Sequence, residues 1–478
     1  MDLIQMFFAH TPGRSIQGDF ATLNQPMSQL SRPPIRPVPG LASQAQLATL
    51  EWARTKDPMG HVAHRWIAAV CLGVQPVATS AAGFGQLILI VYAILRLHAT
   101  WRCYPALFRS RLWWIFLAWF LYAGLTLAWT SDIDQGMDSI RKGRFIFFAL
   151  ALWPILDRPR LLLFGIGMGI LVQLVAQVLQ FGGWVDWGDH DVPRRLNGGF
   201  SKHPGNTGVW AIASTCFMLG LVLIPRTVRW HWRLLGCASI ICVLLSGSRS
   251  AYIGLPLAIL FVLSVSLLKG AGTPRHKKSV LLGLLMVILG FTGFFLIVPS
   301  GADKDIVPAQ RLIKTWQNAW ASIDDDSHTT STGMRLFWWR MGYESWKTAP
   351  LLGHGNGSIG IEFKNSPLFK QKQAEGVKVP PVSDNPHSSL VFLAVEQGLV
   401  GVSVLVLLMG GLLVSSIACI RNRPELLGMS GGVIALGIYG VFNTIELSGF
   451  TVALMSTLVI FAIPRPVPEP QAEPDPTG

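Results

Sequence analysis

Apolar runs of about 18 to 22 residues recur along this chain, the length a helix needs to cross the hydrocarbon core of a bilayer. Inside lipid, backbone groups have no water to bond, so a run of that kind must satisfy its own peptide groups as a helix. The runs lie at about residues 66–80, 84–99, 112–130, 141–156, 161–181, 205–224, 234–247, 251–268, 279–298, 399–420, 428–446 and 449–463, the first two within one apolar stretch. The pattern predicts an all-α, polytopic membrane protein with about twelve transmembrane helices. Composition agrees: 51% of the 478 residues are hydrophobic and only 14% charged, whereas soluble domains carry nearer 25% charge.

The net charge of +13 would ordinarily raise nucleic acid as a partner. Here the basic residues sit in short loops between spans, so they are read as topology signals and as contacts to anionic lipid or phosphate. Loops at 102–111, 158–160, 226–233, 269–278 and 421–423 hold fourteen Lys and Arg, and the opposite short connections hold seven. By the positive-inside rule the termini are cytoplasmic. Five segments follow: a disordered cytoplasmic tail at 1–65, rich in Pro towards Pro39; spans one to nine over 66–299; a periplasmic loop domain at 300–398; spans ten to twelve over 399–463; and a Pro/Glu-rich tail at 464–478. The six cysteines lie in or beside apolar runs and form no metal or disulfide signature.

The outer loop carries helical patterns. Leu312, Ile313, Trp316, Ala319, Trp320 and Ile323 make one stripe between Pro308 and Ile323, suited to a helix lying at a membrane surface. A second helix is predicted from Gly333 to Lys347, with Thr332 as its cap. Asp324-Asp-Asp326 reads as a solvated turn, since three adjacent carboxylates converge poorly on one ion.

Four outer-face features can carry chemistry. Leu245-Ser-Gly-Ser-Arg-Ser-Ala-Tyr252 interrupts an apolar run and presents Arg249, either as a headgroup-seeking arginine in a tight turn or as a phosphate ligand. Arg194-Arg-Leu-Asn-Gly-Gly-Phe-Ser-Lys-His-Pro-Gly-Asn206 sets Arg195 in glycine-rich backbone, which suits anion binding and equally an ordinary flexible loop. Arg335 falls near the start of its predicted helix, where free N–H groups favour an anion; the alternative is a surface arginine whose stem covers Trp338 or Trp339. In Asp384-Asn-Pro-His-Ser-Ser, Asn385 is placed to cap a helix, Pro386 to begin it and His387 to lie in its first turn, kept neutral by the positive helix end. Three helical turns separate His387 from Gly398, which puts both on one face. A lone His is more often structural than catalytic.

In their order and topology these features resemble the O-antigen ligase/polymerase superfamily of bacterial envelope glycan enzymes. His387, Ser388, Gly398 and Gly401 match the ligase pattern of His-Ser, nine residues, then Gly-x-x-Gly, and the turn at Arg249 and the run from Arg335 through Pro350-Leu-Leu-Gly-His-Gly-Asn-Gly357 are similar too. The likeness spans roughly residues 66–463. It departs at the Arg195 segment, where Gly205 separates a Pro204 and an Asn206 that relatives often hold as a pair. The resemblance implies an integral-membrane, GT-C-like glycosyltransferase of the bacterial inner membrane, with its active site facing the periplasm. Its donor would be an undecaprenyl-diphosphate-linked glycan and its acceptor the lipid A–core saccharide, with no cofactor and no metal.

The residues fit that chemistry. A diphosphate-linked sugar carries its own leaving group, so the site needs cations for the developing charge, for which Arg249, Arg335 and Arg195 are candidates. It also needs a base for the acceptor hydroxyl, for which His387 is the candidate. The alternatives are an O-antigen polymerase, a protein O-oligosaccharyltransferase and, from another class, a lipid-linked oligosaccharide transporter with a basic vestibule.

Overall fold

Asp57 and Pro58 show how the first helices are set. The Asp57 carboxylate accepts the Gly60 N–H at 2.9 Å, and Pro58, whose missing N–H costs nothing at this position, opens the helix. The computed structural model describes residues 44–185, 204–223, 230–269 except 247, and 331–376, the single positions 278 and 285, and 382–463 except 383, 419, 421–425 and 447. Described residues are helical without a strand. In order they form α1 (Gln44–Lys56), α2 (Pro58–Val74), α3 (Thr79–Leu95), α4 (Arg111–Leu125), α5 (Ile133–Ile140), α6 (Arg144–Leu152), α7 (Pro159–Phe181), α8 (Pro204–Val222), α9 (Trp230–Leu245), α10 (Arg249–Lys269), α11 (Ser331–Thr348), α12 (Ile359–Asn365), α13 (Pro367–Ala374), α14 (Ser389–Ala418), α15 (Leu426–Phe442) and α16 (Gly449–Ala462).

Among the described residues, five helices are long and apolar enough to cross a membrane: Arg111–Trp129, Pro159–Gln180, Gly205–Val222, Ser250–Leu268 and Ser389–Ala418. A sixth arises if Thr79–Leu95 and Leu97–Phe108, bent by 70°, form one span. Three shorter apolar helices, α9, α15 and α16, complete the bundle. The protein is membrane-integral by this pattern and all-helical, and the described residues reach five or six long spans rather than twelve.

Two expectations change. The tail reading does not hold to residue 65, because Gln44–Lys56 is a helix whose Ala53 is fully buried and which packs on α2. The expected span at 141–156 is a nine-residue helix, α6, with a 3₁₀ turn at each end. Residues 66–99, by contrast, do not merge: α2 and α3 are two helices divided at Gln75–Ala78. The expected span at 279–298 and the Trp316–Trp320 stripe lie outside the described residues.

The core gathers around α8, α10, α15 and α16, which pack on one another. Phe450 to Ala462 of α16 are buried without exception, as expected of a helix apolar on every side. At the periphery, α3 and α4 turn Phe84, Leu87, Val91, Ile94, Leu121 and Leu125 outward, an apolar girdle that only lipid would cover. α14 joins the two zones, packing on α15 along one face and on α4 and α11 along others.

Candidate active site

The sequence Asp384-Asn-Pro-His does not start a helix. Asn385 Oδ1 accepts the His387 N–H at 2.8 Å and the Thr444 hydroxyl at 2.7 Å, so its side chain closes a tight turn and pins it to a loop 59 positions away. His387 lies in that turn with φ +53°, a left-handed conformation that non-glycine residues rarely adopt and that active sites tolerate. The helix begins two residues later: Ser388 O accepts Phe392 N–H, and Ser389 N–H donates to Asn443 O. His387 is therefore held ahead of α14 and not in its first turn. It shares no helical face with Gly398, because Gly398 itself breaks the helix, with φ +61° and ψ −160°.

The His387 ring stacks on Trp338 of α11, centroids 5.5 Å apart, while Trp339 Nε1 donates to Pro386 O at 3.0 Å. Arg335 lies one turn before these tryptophans, so positions i, i+3 and i+4 of α11 present one face to the histidine. Because α11 starts at Ser331, Arg335 sits just beyond the first turn, and its charge reaches His387. Burial, with the Arg335 charge adding to it, holds the His387 imidazole down at about 4. The ring is neutral at physiological pH and free to accept a proton.

Arg249 is the first residue of α10. Ser250 beside it accepts from Asn443 Nδ2 at 3.3 Å and meets Ser248 Oγ at 3.1 Å, and Asn443 is the residue whose carbonyl takes the Ser389 N–H. The turn carrying Arg249 is thus two hydrogen bonds from the start of α14. Asn206, which ends the glycine-rich segment, accepts from Tyr439 OH at 2.8 Å and Ser448 Oγ at 3.1 Å. Tyr439 in turn lies within electrostatic reach of Arg335. Arg195 lies outside the described residues. His387, Asn385, Ser388, Arg335 and the Arg249 turn are brought together around the 439–448 segment.

Gly398 and Gly401 serve the scaffold. The break at Gly398 frees backbone groups that the Pro350–Gly355 loop then bonds: Leu399 and Val400 donate to Pro350 O and Leu351 O, while Val395 O and Glu396 O accept from His354 and Gly355. A Cβ at Gly398 would stand 2.3 Å from Leu351 O, so the loop and the broken helix fit only around a glycine. Gly401 lies buried against the Gln397 side chain.

Sequence reasoning missed Trp338, Asn443 and Thr444, and gave no role to Glu396, Glu446 or Lys142. The Arg335-to-Trp338 spacing and an ionisable Glu396 inside an apolar run were signals within reach. Among the described residues, no group of three or more His, Cys, Asp and Glu converges as a metal site.

Residues 234–406 match a family model described as O-antigen ligase. Over this segment, well under half of the chain, the protein is similar to the O-antigen ligase family. The match takes in Arg249, Arg335, Asn385, His387, Ser388, Gly398 and Gly401, and ends before the 439–448 segment that holds them together. No curated protein matches the chain. That likeness supports, in general terms, an O-antigen ligase- or polymerase-type, glycosyltransferase-like activity.

Proposed function

We propose that this protein is an O-antigen ligase of the bacterial inner membrane, transferring a glycan from undecaprenyl diphosphate to the lipid A–core saccharide at the periplasmic face. In this reading the chain has about twelve spans, cytoplasmic termini, and an outer loop domain over 300–398 that ends near the catalytic histidine. The observation that carries it is His387 held neutral in a strained turn, stacked on Trp338 and facing the Arg335 charge, within the segment that matches the family.

His387 takes the proton of the acceptor hydroxyl as its oxygen bonds to the anomeric carbon. The bond from that carbon to the diphosphate oxygen breaks with inversion, and its electron pair leaves on undecaprenyl diphosphate. Arg335 and Arg249, with Arg195, hold the departing charge in place of a metal ion. A bound diphosphate also offsets the Arg335 charge, which makes His387 a stronger base at the moment it is needed. Polymerase and protein O-oligosaccharyltransferase differ from ligase in the acceptor alone.

The test supplies purified protein in nanodiscs with lipid-linked glycan and, in turn, lipid A–core, a second lipid-linked glycan and an acceptor protein. Product with lipid A–core supports the ligase; product with another acceptor alone reassigns the enzyme within the superfamily; product with none removes the transfer reading.

A further inference from the structure

Glu446 is the most conspicuous buried ionisable group that the mechanism leaves unused, its carboxyl pushed up to about 7 by burial. It lies in the loop between α15 and α16 and is 7% exposed, and its carboxyl meets no donor beyond the Ser389 hydroxyl and its own N–H. The Ser389 hydroxyl reaches the carboxyl while also accepting the Ile445 N–H at 2.8 Å and lying 3.4 Å from Asn443 O. Glu446 therefore stands beside the residue two positions after His387.

It faces a partly open cavity of about 30 Å³ shared with Lys142, Gln397, Asn356, Trp119, Phe120 and Phe392. Three buried groups here lack a partner: Gln397 Oε1, Asn356 Nδ2 and one oxygen of Glu396, whose carboxyl is otherwise met by the N–H groups of Gly357 and Ile359. The Lys142 charge acts on both Glu446 and Glu396, yet no hydrogen bond joins it to either carboxyl. Unsatisfied buried polar groups at this density around a cavity ask for an occupant.

The chemistry of the lining restricts what it is. A cation would satisfy the carboxylates and be repelled by Lys142; an anion would do the reverse. A hydroxyl both accepts and donates, so it can take a hydrogen bond from the ammonium and give one to a carboxylate. The aromatic faces of Trp119, Phe120 and Phe392 suit the C–H edge of a sugar, and the volume admits a hydroxymethyl arm, though not a whole ring.

We propose that this cavity is a saccharide subsite, in which a sugar hydroxyl bridges Lys142 and Glu446 near the start of α14, the helix that His387 precedes. The proposal deepens the glycan-transfer reading and rests on it. The sugar belongs either to the donor or to the acceptor glycan.

Full-length protein in nanodiscs, as wild type, Glu446→Gln, Lys142→Met and the double variant, tests it by equilibrium dialysis. The two probes are the delipidated core oligosaccharide and the glycan freed from its diphosphate. Each single variant should weaken one probe by about tenfold, as expected for a lost hydrogen bond to a charged group, with the double variant no weaker than the singles. The probe affected identifies the source. In transfer assays the same variants should raise KM for that glycan more than they lower kcat. Wild-type binding of neither probe, or variants that bind like wild type and differ only in melting temperature, would overturn the subsite and leave a water-filled structural pair. A wild type that binds one probe in this way but transfers nothing would overturn the transfer reading and keep the subsite.

Discussion

The protein buries charge at two ends, in opposite ways. Away from His387, where α2, α3 and the α6–α7 connection meet, the buried Asp157 and the half-buried Asp57 each have a cation against them. Asp157, 1% exposed at its side chain, is hydrogen-bonded by Arg65, meets His61 Nε2 at 3.3 Å and has Arg54 at 3.8 Å. Asp57 holds Arg96 at 2.8 Å, and Arg96 also donates to His64 Nδ1 at 2.9 Å. Near the start of α14, by contrast, Glu446 meets the Ser389 hydroxyl and its own N–H but makes no bond to Lys142, which lines the same cavity, and one oxygen of the nearby Glu396 has no bonded donor. Charges that close on each other fasten helices. Charges held apart are arranged for a third party, and the two ends should respond to mutation accordingly.

The largest effect separating the ends should come from His387→Ala. Turnover should fall by about 10²–10⁴-fold, as for loss of a general base, with the melting temperature unchanged; near-normal turnover would assign the base elsewhere. Asp157→Ala should act in the reverse sense. It strands Arg65 in the interior and should cost about 3–5 kcal/mol of stability, read from thermal unfolding in detergent, while molecules that remain folded keep their specific activity. A loss of KM or kcat without a loss of stability would break the comparison.

Gly398→Ala should come next, at about 1–3 kcal/mol, because its Cβ meets Leu351 O and its φ is positive. Its signature is loss of the Pro350–Gly355 pairing, seen as faster proteolysis in that loop. The smallest effect concerns pH. His387 is neutral above about 4 in the folded protein, against an ordinary value of 6.5, so kcat/KM should hold its plateau and then fall as pH drops through about 4. Arg335→Ala removes the second cause of the lowering and should move that limb upward while burial keeps it below 6.5. The same depression makes the unfolded state the stronger proton binder between those values, so this group's stabilisation is present above 6.5 and lost as pH falls towards 4. A limb unmoved in Arg335→Ala would separate the arginine from the histidine.

Much of the helical layout was legible in the chain. The runs that became α7, α8, α10 and α14 needed only apolar length, and the polar break before Arg249 did mark a helix start. His387 was legible as a candidate, but its conformation was not. Asn385-Pro386 carries the local pattern of a helix cap, and the decision against it comes from Thr444, a partner that spacing cannot reveal. Gly398 likewise sits in a stretch that reads as unbroken helix, since the hydrogen bonds that stabilise its break are supplied by residues 350–355. Glu446 fell at the edge of an apolar run, where burial from α4 and α14 decides its state.

The break in α14 also makes the Pro350–Gly355 loop and a membrane helix a single cooperative unit. Leu399 and Val400 carry amides that would be protected by their own turn in a continuous helix, and here their protection depends on Pro350 and Leu351 staying docked. Hydrogen exchange at these two positions is therefore a built-in reporter of loop undocking, readable without any label on the loop. It should follow the His354 and Gly355 amides in step, while Leu405 and Leu408 farther along the same helix exchange independently.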